Sequence, residues 1–201
     1  NPDNSTLKIR NSKLSDRTDL DSPPHRVRPM KRTVIIKDRR EPDTDYEFWK
    51  TRSPEERLEA VEFLREQCYL AMGYTEPPRI KRAVTVLSLL NAHAVEYVVV
   101  GSFALSFHGH PRATGDMDIW IQRTPDNAAR VEKALADFGF RGLGITAQDL
   151  LEDKVIQLGM PPVRIDLMTE LDGLTPDEVW NGRAAGRFGD VPVFFIGREA
   201  F

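Results

Sequence analysis

The stretch Tyr97-Val-Val-Val-Gly-Ser-Phe-Ala-Leu-Ser-Phe-His-Gly-His-Pro-Arg-Ala-Thr-Gly-Asp-Met-Asp-Ile-Trp-Ile121 constrains this chain more than any other. An apolar run, Tyr97 to Val100, meets a Gly101-Ser102 turn. A short helical segment carries the chain back, and a second apolar run, Asp116 to Gln122, opens on two acids one residue apart. Side chains alternate across a strand, so Asp116 and Asp118 share one face, with Cα atoms roughly 6.6 Å apart. An Asp-x-Asp pair alone is common on solvated strands. Here Met117, Ile119 and Ile121 make the flanks apolar, and two carboxylates facing one way at the head of a buried strand repel unless a cation neutralises them. Hard divalent cations take oxygen ligands, and two of them about 3.5 to 4 Å apart can clamp the attacking and leaving oxygens of a phosphoryl displacement.

A third carboxylate follows. In Val163-Arg-Ile-Asp-Leu-Met168, Val163, Ile165 and Leu167 alternate with Arg164, Asp166 and Met168. The alternation predicts a third strand with Asp166 opposite the core-facing set, beside the strand of Asp116 and Asp118.

Together, Gly101-Ser102, Asp116 with Asp118, and the distant Asp166 resemble the signature of the nucleotidyltransferase superfamily, the minimal DNA polymerase β-like fold. The run Pro111-Arg-Ala-Thr-Gly-Asp-Met-Asp118 is similar to that of small prokaryotic members found in toxin-antitoxin and phage-defence loci. The resemblance covers about residues 80 to 200. It implies an α+β domain, a small mixed sheet with helices packed on it. It also implies that Gly101 and Ser102 contact the triphosphate, that Asp116 and Asp118 ligate both metals, and that Asp166 ligates the catalytic metal and helps activate the acceptor hydroxyl. Magnesium or manganese and a nucleoside triphosphate such as ATP are the implied cofactor and co-substrate.

Other residues admit two readings. Gly101 also suits the close-packed glycine of a strand-to-helix turn, and Ser102 also suits an N-cap; both are compatible with phosphate binding, because free N–H groups at a helix start attract anions. Arg112 can offer paired donors to a phosphate or be a loop charge. Thr114 either holds the loop or contacts the nucleotide. His108 and His110 lack a matched Cys or His set and read as loop or packing residues. Trp49, Trp120 and Trp180 read as packing residues; Trp120 alternates with Asp118, but no second aromatic on that face supports base stacking.

Composition bounds the rest. With 201 residues, 40% of them hydrophobic, the chain suffices for one well-packed domain and an extension. No apolar run approaches the roughly 18 residues of a membrane span. The single cysteine, Cys68, excludes a disulfide framework, favours a reducing cytoplasm and reads as a small core residue on a helix. The net charge of -3 is uneven: residues 1 to 40 hold 11 Lys/Arg against 5 Asp/Glu, so the remainder is acidic. Such a basic segment can touch nucleic acid, but without interleaved aromatics it reads first as a solvated leader. The sequence opens on Asn1, as a processed form or fragment does, and Met30 is a candidate initiator.

Three regions follow. Residues 1 to 29, polar and carrying Pro23-Pro24, are expected to be a disordered leader without the apolar core of a secretory signal. Residues 30 to 79 read as a small helical module. Thr33 to Lys37 is β-prone, and Ser53-Pro-Glu-Glu56 supplies a cap, a first-turn proline and a capping-box glutamate for a helix to about Met72. Leu58, Val61, Leu64, Cys68 and Ala71 mark its expected apolar stripe, with Glu55, Arg57, Glu59, Glu62 and Glu66 wet. Tyr46, Phe48 and Trp49 add apolar surface ahead of it. The module resembles the short partner proteins, some of them antitoxins, that accompany such nucleotidyltransferases; a plain N-terminal decoration is the alternative.

Residues 80 to 201 form the expected nucleotidyltransferase-like domain. Its helices are predicted from Ile80 to Ala94, after Thr124-Pro-Asp-Asn127, and after Thr175-Pro-Asp-Glu178. Its later strands are Lys154 to Leu158, paired as a hairpin with the Asp166 strand, and Val191 to Ile196. The resemblance implies a further helix after the last strand, so a domain shortened at its C-terminus, with a partner supplying the missing wall, is one expectation.

The function these residues imply is metal-dependent transfer of a nucleoside monophosphate to an acceptor hydroxyl on RNA or protein, in a toxin-antitoxin setting with a cognate partner. A nucleotidyltransferase-like binding module without turnover, and an antibiotic nucleotidyltransferase, are the alternatives.

Overall fold

The structure, a computed structural model, describes residues 45–75, 81–141, 144–159 and 164–200. The polar leader, the Thr33 to Lys37 run and Val163 lie outside the described residues. The fold is α+β. Among the described residues, six strands form one mixed sheet in the order β3-β4-β2-β1-β6-β5, from β1 (Tyr97–Val99), β2 (Asp116–Ile121), β3 (Val155–Leu158), β4 (Arg164–Met168), β5 (Ala184–Phe188) and β6 (Val191–Phe195).

Two hairpins bracket the sheet, β3 antiparallel to β4 and β5 antiparallel to β6. The centre mixes directions. β1 runs antiparallel to β2 and parallel to β6, while β2 and β4 are parallel, so two acid-bearing strands start side by side. Val98, Val99, Ile119, Trp120, Ile121, Leu167 and Phe195 are buried almost completely, which puts the core at these central strands.

Six α-helices accompany the sheet among the described residues: α1 (Asp45–Lys50), α2 (Pro54–Ala71), α3 (Lys81–Ala92), α4 (Gly101–Phe107), α5 (Pro125–Leu135) and α6 (Pro176–Gly182). Helix α2 begins where Ser53 predicts: the Ser53 hydroxyl accepts from the Glu56 N–H at 3.1 Å, and the Glu56 carboxylate accepts from the Ser53 N–H at 2.8 Å. Thr175 caps α6 with the same reciprocal pair, with Glu178, and Thr124 caps α5 by accepting from the Asn127 N–H alone; each is followed by proline. The turn after α5 closes at Gly139, whose φ of +107° suits glycine.

The face that α2 buries differs from the expected stripe. Leu58, Val61 and Arg65 are buried, whereas Leu64 and Cys68 are exposed and Glu62 and Glu66 are only half-exposed. Its partner α4 has seven residues against eighteen, so the last turns of α2 run past what α4 can cover. Cys68 is therefore a surface thiol rather than a core residue. Arg65 takes an inner position because its guanidinium is bonded twice by Glu62, at 2.6 and 2.7 Å. Arg57, expected in water, is half-buried and donates to the carbonyls of Trp49 and Phe107, tying α2 to α1 and α4.

Strand β5, Ala-Ala-Gly-Arg-Phe, has no counterpart among the sequence expectations. It carries little β propensity, and its pairing with β6 makes it a strand. Among the described residues, no helix is long and apolar enough to cross a membrane.

Candidate metal and nucleotide site

Parallel pairing of β2 with β4 builds the site. The register sets Asp118 opposite Asp166 and Asp116 opposite Arg164. Neighbouring strands lie about 4.8 Å apart, so acids two residues apart on one strand and one acid on the next form a triangle on a single face. Asp116, Asp118 and Asp166 each offer an oxygen, and these atoms lie within 4.8 Å of one another. Oxygens around a magnesium ion at about 2.1 Å are at most about 4.2 Å apart. Closure of well under an ångström would let the three share one ion, and three carboxylates are the hard donor set that magnesium or manganese takes.

The surroundings of the three acids differ. Asp116 is held on both oxygens: the Thr114 hydroxyl donates to Oδ1 at 2.7 Å, and Arg164 Nη2 donates to Oδ2 at 2.6 Å. Asp166 is buried, with Arg164 Nε 2.9 Å from its Oδ1 and Gln157 Nε2 at 3.4 Å from its Oδ2. The Arg164–Asp166 contact is an ion pair by distance, but neither atom has hydrogen-bonding geometry. The Asp118 carboxylate has no hydrogen-bond or ion-pair partner among the described residues. Burial, then Asp116 and Asp166, pushes its carboxyl up to about 6, with Arg164 and Arg112 pulling the other way.

Gly101 shapes this corner. Its φ is +62°, and a Cβ there would fall 2.0 Å from Asp118 Oδ2, so a side chain is excluded by conformation and by contact. Ser102 is buried and is not the cap of α4. Val100 holds that position, and the Ser102 hydroxyl accepts from Arg112 Nε at 2.9 Å. Arg112 thus stands beside the turn, its charge acting on Asp118.

His108 and His110 lie with packing partners. His108 Nε2 is 2.7 Å from the Ile196 carbonyl, and the His110 ring stacks on Tyr46 at 4.7 Å. Trp120 is buried and donates its indole N–H to the Thr169 carbonyl, so its ring is a packing group and not an open stacking surface.

Three residues near the acids carry no individual sequence signal. Arg164 and Gln157 reach Asp166 through strand pairing; for Arg164, its place two residues before Asp166 was the legible clue. Tyr69 comes from α2. Its hydroxyl would be 3.3 Å from a Cβ at Gly115, its ring meets Tyr74 edge-on at 5.4 Å, and burial raises its phenol above the usual range. A cavity of about 640 Å³ opens elsewhere, lined by Leu58, Val84, Phe103 and Phe188 with Glu55 and Glu59 among its walls, and none of the three aspartates lines it. Its size does not make it the chemical centre, because the convergent carboxylates are absent from it.

No family model matches the chain, and no curated protein matches its sequence. Among solved structures it is similar to a Thermotoga maritima protein described as a candidate nucleotidyltransferase, with 15% identity and a TM-score of 0.42 over 60% of this chain and 78% of that one. A likeness of that size carries no argument about function, which rests instead on the arrangement of the acids.

Proposed function

We propose that the chain is a metal-dependent nucleotidyltransferase that moves a nucleoside monophosphate from a triphosphate to an acceptor hydroxyl on RNA or protein. One observation carries this reading: Asp116, Asp118 and Asp166 converge within 4.8 Å beside the Gly101 turn. Magnesium or manganese on these carboxylates would neutralise the phosphates and lower the pKa of the acceptor hydroxyl. The chain supplies position. Gly101 leaves backbone where a side chain would fill the approach to Asp118, and Arg112, anchored on Ser102, is assigned to a phosphate.

Thr114 and Arg164 fix the Asp116 carboxylate, so its donor direction is set before substrate arrives. Asp166, on the neighbouring strand, is assigned to the acceptor side. The acceptor oxygen attacks the α-phosphorus, the bond to the bridging oxygen breaks, pyrophosphate leaves, and the acceptor proton passes to solvent. A toxin-antitoxin setting is the biological context that the sequence resemblance supports.

The test is incubation of the purified chain with each α-labelled triphosphate, magnesium and total RNA. Label on RNA or protein together with pyrophosphate release is expected, and Asp118→Asn should abolish both while leaving the circular dichroism unchanged. Release at the wild-type rate from that variant would overturn the assignment. A binding module without turnover is the second reading. It is favoured by Arg164, which already pairs with two of the three acids; nucleotide binding with no magnesium-dependent release would select it.

A further inference from the structure

We infer that Arg164 is an internal counter-ion that stands in one of the two cation positions, so that the free protein takes a single divalent cation, on the Asp118 side of the site. The inference rests on the metal-site reading above and deepens it. Arg164 and Asp116 face each other across the parallel pair β2–β4, and the guanidinium spans the acids, with Nη2 at 2.6 Å from Asp116 and Nε at 2.9 Å from Asp166.

Those two oxygens are thereby occupied by a fixed positive charge. The other Asp116 oxygen is taken by Thr114 at 2.7 Å, and the other Asp166 oxygen lies 3.4 Å from Gln157. The Asp118 carboxylate, within 4.8 Å of both, alone has no hydrogen-bond or ion-pair partner among the described residues. An arriving cation meets the least resistance there. A second cation held by Asp116 and Asp166 would first have to break two charge-assisted contacts and move a side chain that is about one quarter exposed, with Asp166 behind it nearly buried.

The two contacts of Arg164 are not equivalent. Nε and Asp166 Oδ1 are both buried and, despite their 2.9 Å separation, lack hydrogen-bonding geometry. Of the two contacts, the one to Asp166 is therefore the weaker, and displacement begins there. Arg164 is a positioning residue: it acts on the acids and sets how many cations they accept.

Electron paramagnetic resonance of the full chain with manganese, without nucleotide, counts the ions. One per chain is expected for the wild type. Arg164→Met should bind two, the second about tenfold or more tighter than any second ion in the wild type. A count of two in the wild type, or equal counts and affinities in both proteins, overturns the inference while leaving the metal site standing; no manganese bound to either overturns the metal reading as well. If Arg164→Met fails to fold, the wild type still decides. During a magnesium titration its Arg164 Nε–H resonance should hold position through the first equivalent and shift only with further ion, and a shift complete within the first equivalent would sink the idea.

Discussion

At the residue scale, Asp118 carries a charge that the fold opposes. Its carboxyl is raised from 3.8 to about 6 by burial first and by the two neighbouring acids next. A group whose folded pKa lies above its unfolded value adds stability that is fully present below the unfolded pKa and is lost as pH rises through the folded one. In metal-free buffer this contribution should therefore disappear between about pH 4 and pH 6. Asp118→Asn removes the opposition, so it should raise stability at pH 7 by on the order of 1 kcal/mol, allowing for solvent screening of a half-exposed group. Near pH 4 the gain should vanish. Thermal melts of both proteins in chelator across this range check the sign; an equal melting difference at both ends would remove Asp118 as the cause.

Gly101 gives a second prediction at this scale. Gly101→Ala forces a left-handed conformation on alanine and drives its Cβ into Asp118 Oδ2 at 2.0 Å, so destabilisation of roughly 1 to 3 kcal/mol is expected, together with loss of metal binding. Urea unfolding and manganese titration measure the two effects separately. Gly186 is fixed by a different contact, since a Cβ there would meet Phe107 at 2.7 Å and Phe195 at 3.0 Å, rings that stack on each other.

At the scale of elements, one buried amide holds three of them in register. Asn127, in the first turn of α5, accepts from the Glu96 N–H at 2.8 Å and donates to the carbonyls of Glu96 at 2.9 Å and Gln122 at 2.8 Å. These backbone groups lie just before β1 and just after β2, so the amide ties the helix to β1 and to β2, the strand that carries Asp116 and Asp118. Asn127→Ala should cost about 1 to 3 kcal/mol, because it leaves the Glu96 N–H without its acceptor, while the carbonyls of Glu96 and Gln122 keep the N–H groups of Gln122 and Thr124. Chemical denaturation tests this, and a loss below half a kilocalorie would mean that water replaces the side chain. The order of elements was readable from capping residues and periodicity. Strand β5 was not, since Ala-Ala-Gly-Arg-Phe has neither alternation nor branched residues, and its ladder to β6 is a long-range decision. The inward face of α2 was misjudged for a related reason: periodicity reports which residues are apolar, whereas burial depends on how far the partner helix extends.

At the scale of the molecule, α1 and α2 belong to the compact unit that spans Pro42 to Phe201. Leu58 and Val61 are buried, and Arg57 bonds a carbonyl on α4. A chain beginning at Ile80 should therefore lose about 3 to 6 kcal/mol from these two side chains alone and expose an apolar strip over α4. Raised binding of a hydrophobic dye and a lowered melting temperature are the expected readouts, and an unchanged melt would show that α2 is dispensable.

The sequence by itself determined the α+β class, the start of each capped helix and the common face of Asp116 and Asp118. The class is what the motif resemblance implied; the helix starts and the common face follow from local stereochemistry, that is, strand alternation, helix period and the hydrogen-bonding needs of helix ends. The tertiary structure alone decided that Asp166 pairs with Asp118 in register, that Arg164 enters between the acids, and that Tyr69 reaches the loop before Asp116. Those contacts join positions about fifty residues apart, and they depend on sheet order and strand direction, which no local pattern encodes.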